Sequence, residues 1–479
     1  MRSPRRLAGD YLVLSAGEFV AKLAGLVAFA YLARRLGPQT YGLVELTVAL
    51  AMVFSLLVDF GLGPIGAREV ARRRGSAADL TVGIPAARLA LAVVAGLGML
   101  GCAFLLDLPA MARLLVVLYG CSLFVAPWNL NWLFQGLGLM HIVAPAQAIR
   151  MLVFAFGAVF LVSSAQDIWK VGVAELVAAS VMAGYFVLLQ KRYLPSASVR
   201  PKLRAVRSLL SEALPVGLSR VVWALNQYLP TVVLAYVVGG SEVGWFVAAH
   251  RVATSAGSFV FLYHFNLFPR IAQLIQGRQK ELDALFRVSF RSASWLGVLV
   301  AFAGTLLSGP VCRLVFGEEF ETAARSLSVL VWLVPLTLLG THARFALIAC
   351  GRQKMELGAN VIGLAVLLLA SVPAAGRWGS MGAAAAMLLS SMATWTSAHV
   401  LARSHLVHLP FVRPLVKPLA LSGIALVSAL LLRGLGSWIS TGVGLGLFVA
   451  MALVLEPTVR SDLLSLLNRQ SEPNDRDEA

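Results

Sequence analysis

Residues 23–63, LAGLVAFAYLARRLGPQTYGLVELTVALAMVFSLLVDFGLG, hold two apolar runs joined by Arg34-Arg35-Leu36-Gly37-Pro38. Extended back to residue 10, the runs cover 10–33 and 42–63. Each reaches the ~20 apolar residues with which an α-helix crosses a ~30 Å hydrocarbon core. Two arginines, a glycine and a proline place a turn in water between them, so the stretch reads as a transmembrane helical hairpin. The same alternation continues outward. It predicts further segments near 81–106, 112–136, 142–164, 170–190, 208–238, 243–270, 284–309, 326–350, 356–376, 380–402, 415–433 and 438–456.

Composition agrees with that count. Of 479 residues, 59% are apolar and 13% charged, which at ~20 residues per span allows roughly 14 spans. A mean hydropathy of +0.81 argues against a soluble enzyme, a disordered tail protein or a β-barrel. We expect an all-α polytopic membrane protein of about 14 transmembrane helices. Its parts would be a six-helix bundle over 1–190, a cytoplasmic linker over 191–207 and a second, pseudo-symmetric six-helix bundle over 208–402. Two additional helices over 403–456 and a polar cytoplasmic tail over 457–479 complete the chain. The first run is basic at its start but continues past Ala30 and carries Glu18 and Lys22, so it reads as a retained helix rather than a cleaved signal.

The formal charge is +17, from 40 Lys and Arg against 23 Asp and Glu. With the N-terminus inside, 25 of the 40 fall in cytoplasmic segments and 8 in outer ones, a bias that supports cytoplasmic N- and C-termini. The charge thus orients the chain in a bacterial inner membrane, and no nucleic acid partner is expected. Four scattered cysteines show no ligand spacing. The histidines show none beyond His405 and His408, so neither metal nor cofactor is expected. No loop exceeds about 20 residues, which leaves no room for an extramembrane catalytic domain and argues for a non-enzyme.

The two halves share a pattern. An offset of 202 residues places Leu32-Ala33, Gly37 and Gly42 on Leu234-Ala235, Gly239 and Gly244, and Glu18 on Arg220. Both halves start on the same side, so this is a parallel repeat about an axis along the membrane normal, enclosing a midplane cavity.

Ala33-Arg-Arg-Leu-Gly-Pro-Gln-Thr-Tyr-Gly-Leu, then Asp59-Phe-Gly-Leu-Gly and Ala67-Arg-Glu-Val-Ala-Arg, resemble the opening signature of polysaccharide flippases of the multidrug/oligosaccharidyl-lipid/polysaccharide exporter superfamily. Trp132-Leu-Phe-Gln-Gly and Phe316-Gly-Glu-Glu-Phe resemble that family's fourth-helix end and an outer loop. The resemblance implies export of an oligosaccharide carried on undecaprenyl pyrophosphate, from the inner to the outer leaflet. It also implies a V-shaped pair of bundles that alternate access. Its partners would be the lipid-linked oligosaccharide, membrane lipid, and a polysaccharide polymerase with chain-length machinery.

Seven basic residues fall inside spans: Lys22, Arg88, Arg150, Arg220, Arg251, Arg291 and Arg344. A charge at membrane depth is costly, so it faces a cavity, a partner or the nearer interface. Arg88, Arg150, Arg291 and Arg344 lie close enough to the cytoplasmic end for snorkelling to compete with a cavity role. Lys22, Arg220 and Arg251 lie deeper. Arginine supplies fork-shaped, permanently charged donors for a pyrophosphate, so Lys22, Arg88, Arg150, Arg220, Arg251 and Arg344 are the candidate substrate-binding set of a cationic lumen. Glu18, one turn from Lys22, and Asp59 are candidate coupling groups. Asp59 also reads as a local cap, or as a partner of Arg68 and Arg72. Arg220, Trp223, Gln227 and Thr231 form one helical stripe, Arg251, Ser255 and Ser258 a second, and Thr337, Thr341 and Arg344 a third. Trp128, Asn129, Asn131, Trp132 and Gln135 near the end of the fourth span mix aromatic rings and amides, as carbohydrate sites do, and Gln227 is a further candidate sugar contact, although tryptophan also anchors at interfaces.

Two other functions are compatible with an apolar helical chain. A multidrug exporter of the same superfamily calls for deep acids in the first helix and a less basic lumen. A membrane glycan polymerase or ligase calls for a sizeable outer loop, and the longest outer segment, 309–325, carries only Glu318, Glu319 and Glu321 as acids.

Overall fold

The computed structural model of the protein describes residues 4–72, 77–194, 203–274, 278–405, 413–432, 434 and 437–456. The tail 457–479, part of the linker (195–202), His408 and the side chain of Ser258 lie outside the described residues. The chain runs through α1 (Pro4–Asp59), α2 (Leu62–Arg72), α3 (Ala77–Leu105), α4 (Ala110–Leu123), α5 (Asn131–Leu137), α6 (Met140–Leu161), α7 (Ile168–Tyr193) and α8 (Leu203–Val237). It continues through α9 (Gly240–Leu274), α10 (Gln279–Leu306), α11 (Ser308–Phe316), α12 (Ala323–Leu330), α13 (Leu333–Ala349), α14 (Gln353–His405), α15 (Arg413–Leu431) and α16 (Ser437–Leu455). The described residues form no strand. Eleven helical stretches among them are long and apolar enough to cross a membrane, as expected of a multi-pass protein.

Two of those stretches are hairpins in disguise. In α1, Gly37 adopts φ 70° and ψ 167°, which breaks the 56-residue run where the sequence placed its first turn. Only glycine takes that conformation cheaply, and Pro38 then opens the next helix with its φ already set. In α14 the same break falls at Gly379, with φ 55°. A Cβ there would lie 2.5 Å from the Glu242 carboxylate, which accepts a 2.6 Å hydrogen bond from the Ser380 amide. The repeat is visible in the backbone. Gly239 takes φ 69°, matching Gly37 at 70°. Gly42 and Gly244 meet: a Cβ on Gly42 would sit 2.9 Å from the Gly244 nitrogen, and one on Gly244 would sit 2.0 Å from the Pro38 carbonyl oxygen.

The segment 309–325 is mostly helical. Gly317, with φ 99°, lets Phe316 and Phe320 fold inward, and Tyr41 packs edge-on against Phe320 at 5.8 Å. Arg34 donates to the carbonyls of Leu314 and Val315 at the end of α11. The motif Phe316-Gly-Glu-Glu-Phe is thus a packing element.

The chain forms two compact units. The first comprises Met1–Ala249, Cys312–Ala323 and Leu364–Met387, and the second His250–Val311, Ala324–Gly363 and Leu388–Ala479. The first has a core of Trp132, Phe134, Ile84 and Phe186, the second one of Phe286, Phe290, Phe302 and Phe448. Large apolar side chains such as Leu97, Phe104, Phe160 and Leu369 point outward, as helices solvated by lipid require.

The fourth span differs from the uninterrupted helix expected over 112–136. It is α4, a short 3-10 turn at Ala126–Trp128, an extended residue at Asn129 and then α5. Pro127 supplies no amide hydrogen and disfavours a helical residue before it, so the ladder stops there. Within a bilayer, non-helical backbone is tolerated where protein covers it or where it lines a cavity.

Candidate functional site

The site is built around the end of α1. Phe60 has φ 38° and Gly61 φ 79°, so the chain reverses between α1 and α2. That turn packs on α8 at backbone distance: a Cβ on Gly61 would lie 2.8 Å from the Ala213 oxygen, and one on Gly217 would lie 2.7 Å from the Phe60 oxygen. Arg220, one turn beyond Gly217, is thereby delivered to Asp59. Its Nη1 donates to Asp59 Oδ2 at 2.5 Å. From α3, the Arg88 guanidinium donates to Asp59 Oδ1, and the Gly63 amide donates to the same oxygen at 3.2 Å. One carboxylate therefore bridges two guanidiniums. Gly63 leaves no alternative, since a Cβ there would sit 3.0 Å from Asp59 Oδ1 and 3.2 Å from Arg88 Nη2.

The break in the fourth span completes the wall. Arg88 Nη1 donates to the Asn129 carbonyl at 2.9 Å, taking up an oxygen that the interrupted ladder frees. The Asn129 side chain accepts from the Asn131 amide at 3.3 Å, at the start of α5. These groups enclose a cavity of about 350 Å³, lined by Asp59, Arg88 and Arg220 together with Asn129, Asn131, Trp132 and Gln135. That volume lies in the range of small-molecule sites. Arg88 is 6% exposed and Arg220 44% exposed, so one guanidinium is fixed in the wall and the other reaches into open space. Arg88 Nε, Trp132 Nε1 and Asn131 Oδ1 are buried without a hydrogen-bond partner.

The structure brings together seven of the residues singled out in the sequence: Asp59, Arg88, Arg220, Asn129, Asn131, Trp132 and Gln135. Asp59 caps locally through Gly63, as expected, but its charge goes to Arg88 and Arg220, not to Arg68 or Arg72. Arg68 pairs with Glu69 and with Glu212 of α8, and Arg72 approaches Glu69 at 3.9 Å. The other candidates lie elsewhere. Lys22 and Glu18 form a 3.8 Å pair along one exposed helix face. Arg150 is held by Glu175 of α7, both largely buried. Trp128 is exposed and Gln227 half-buried, and neither lines the cavity. Arg251 and Arg344 belong to the second compact unit. There Arg344 Nε donates to Glu356 at 2.9 Å, and the backbone oxygen of Arg251 accepts from Ser255 at 2.7 Å. Among the described residues no group of His, Cys, Asp and Glu could hold a metal ion.

Sequence reading missed Gly61, Gly63 and Gly217, which set the approach of the helices, and the partners Glu175 and Glu356. The signal for the break was present in Ala126-Pro127-Trp128-Asn129.

Residues 7–275 match the polysaccharide biosynthesis protein family. The chain belongs to that family. This member is 24% identical over 382 residues to a Shigella dysenteriae protein assigned as an O-antigen transporter, covering 76% of this chain and 92% of that one. Its fold is similar to that of lipid II flippase MurJ in an inward closed conformation, with a TM-score of 0.76 at 13% identity, covering 94% of this chain and 99% of that one. It also resembles an inward-facing multidrug resistance MATE transporter of the MOP superfamily, with a TM-score of 0.65 at 16% identity, covering 82% and 97%. The polysaccharide family expected from the opening motifs is met, together with an all-helical fold.

Proposed function

We propose that this polysaccharide flippase carries undecaprenyl-pyrophosphate-linked oligosaccharide from the inner to the outer leaflet by alternating access, and that the Asp59–Arg88–Arg220 cavity receives the anionic head. One observation carries the reading: two guanidiniums from different helices converge on one cavity that the side chains of Asn129, Asn131 and Gln135 also line. Arginine pairs bind phosphoryl oxygens through parallel charge-assisted hydrogen bonds. The side-chain amides offer a sugar hydrogen bonds. The isoprenoid tail stays in lipid throughout. The excess of basic residues in alternate loops supports an inner-membrane location with both termini cytoplasmic. A polymerase and chain-length machinery would act on the exported unit.

The test is complementation of a strain lacking the gene. Arg220→Ala should lower surface polysaccharide at least about tenfold, with lipid-linked precursor accumulating on the inner face while the protein remains in the membrane. Normal export by that variant would sink the reading. A multidrug exporter of cations is the weaker account, because two arginines in the cavity repel a cationic cargo.

A further inference from the structure

We infer that Arg68 and Glu212, which do not line the cavity, are positioning residues that hold shut the seam between α2 and α8, and that an anion taking Arg220 from Asp59 lets this seam part. Resting on the flippase reading above, this links occupancy of the cavity to opening of the helices beside it. Both sides of the seam belong to the first compact unit. On α8, Glu212, Gly217 and Arg220 fall within an arc of about 140° and span about 12 Å of the helix axis. Each end of that face carries one ion pair across the seam: Glu212 accepts from Arg68 of α2, and Arg220 donates to Asp59 at 2.5 Å. Between them the backbones touch at Gly61 and Gly217. That contact sets how closely the helices approach and leaves the charges to decide whether they stay together.

Each ion pair can part without stranding a charge. Arg68 keeps Glu69 of its own helix at 3.3 Å, and Asp59 keeps Arg88 and the Gly63 amide. On α8, Glu212 is 48% exposed and Arg220 44% exposed, so water receives both. Separation therefore avoids the penalty that breaking a buried one-to-one pair carries. The two pairs differ in what breaks them. Arg220 lines the cavity, so a phosphoryl anion competes with Asp59 for it directly. Arg68 and Glu212 stand outside the cavity, and the anion reaches them only through the loss of the first pair. Once that pair is gone, one exposed ion pair is left to hold the seam, and a pair of that kind contributes little alone. An anion that favours the parted seam shifts the population toward it.

The experiment measures the distance between spin labels at Ala71→Cys on α2 and Ser211→Cys on α8, both exposed positions, in the full-length protein in nanodiscs with its four native cysteines replaced by alanine. Inorganic pyrophosphate should add a longer distance at the expense of the short one, and sodium chloride of equal ionic strength should not. Glu212→Gln removes the outer pair and should lower the half-maximal pyrophosphate concentration about two- to fivefold. The exchange Arg68→Glu with Glu212→Arg rebuilds the pair with its charges reversed and should return that concentration to within about twofold of the wild-type value. Should Glu212→Gln fail to fold, Arg68→Gln removes the same pair and is held to the same expectation. A distance that ignores pyrophosphate, an equal response to sodium chloride, a half-maximal concentration unchanged by loss of the pair, or an exchange that fails to restore it would overturn the inference. Export of lipid-linked precursor is scored separately. Loss of export in Arg220→Ala, with a seam that ignores pyrophosphate, removes the latch and keeps the flippase reading, whereas normal export in that variant removes the reading itself.

Discussion

Asp59 and Glu175 are both carboxylates that hold arginine inside an apolar helical bundle, yet they do opposite things. Glu175 on α7 answers one arginine, Arg150 on α6, and the pair is 11% and 19% exposed. Charge cancels and little water reaches it. Asp59 answers two arginines, one of them nearly half exposed, and an uncancelled positive charge faces a cavity. A one-to-one buried pair can be explained by structure alone, because breaking it is costly and nothing is left for a ligand to bind. A shared carboxylate leaves donor capacity unspent, and that is what a binding site needs. Counting arginines inside spans does not separate the two; counting their acceptors does.

Substitutions that exploit this contrast fall in a clear order of effect on stability. Glu175→Ala strands Arg150 without its partner and should cost about 3–5 kcal/mol, seen as a large drop in the melting temperature of the detergent-solubilised protein. Retention of wild-type stability would mean that Arg150 finds other acceptors and that the pair is not structural. Gly244→Ala places a methyl against the Pro38 carbonyl and should cost about 1–3 kcal/mol by overpacking. Moving the same change to Gly257, around which a Cβ meets nothing within 4 Å, should leave the melting temperature nearly unaltered. The double variant Arg150→Met with Glu175→Met replaces the ion pair by apolar groups and should lie within about 1 kcal/mol of wild type while export continues. Loss of export in a well-folded double variant would restore Arg150 to the transport path. The smallest effect on stability belongs to Arg220→Ala, under about 1 kcal/mol because its side chain is substantially exposed and Asp59 keeps Arg88. The same variant should have the largest effect on export. A substitution at the shared carboxylate is thus read in transport, and one at the private pair is read in folding.

The features that local sequence could reveal were those that local physics controls. The hairpin at Gly37, the matching glycine at Gly239 and the apolar runs follow from what single residues do to a backbone in lipid, and they reappear in the structure. The arginine–carboxylate pairings did not follow. Arg88 and Asp59 are 29 residues apart, and Arg220 and Asp59 are 161 apart. Their meeting depends on Gly61 and Gly217 letting two backbones touch, a condition that no window of hydropathy contains. The interruption of the fourth span was hidden for a different reason. Val125-Ala-Pro-Trp128 is apolar on average, so the run looks continuous even though Pro127 cannot sustain the ladder.

That interruption also bears on how the protein is made. The Asn129 carbonyl, released by the break, finds its donor on Arg88 of the preceding span. A fourth span leaving the translocon alone would carry two asparagines and an unmet carbonyl into lipid, a poor candidate for independent partitioning. The third and fourth spans are therefore expected to enter the bilayer as one insertion unit, with Arg88 serving the nascent chain before it serves any cargo. Glycosylation mapping of truncated chains should show the fourth span failing to insert when Arg88 is replaced by leucine, and inserting normally when it is replaced by lysine.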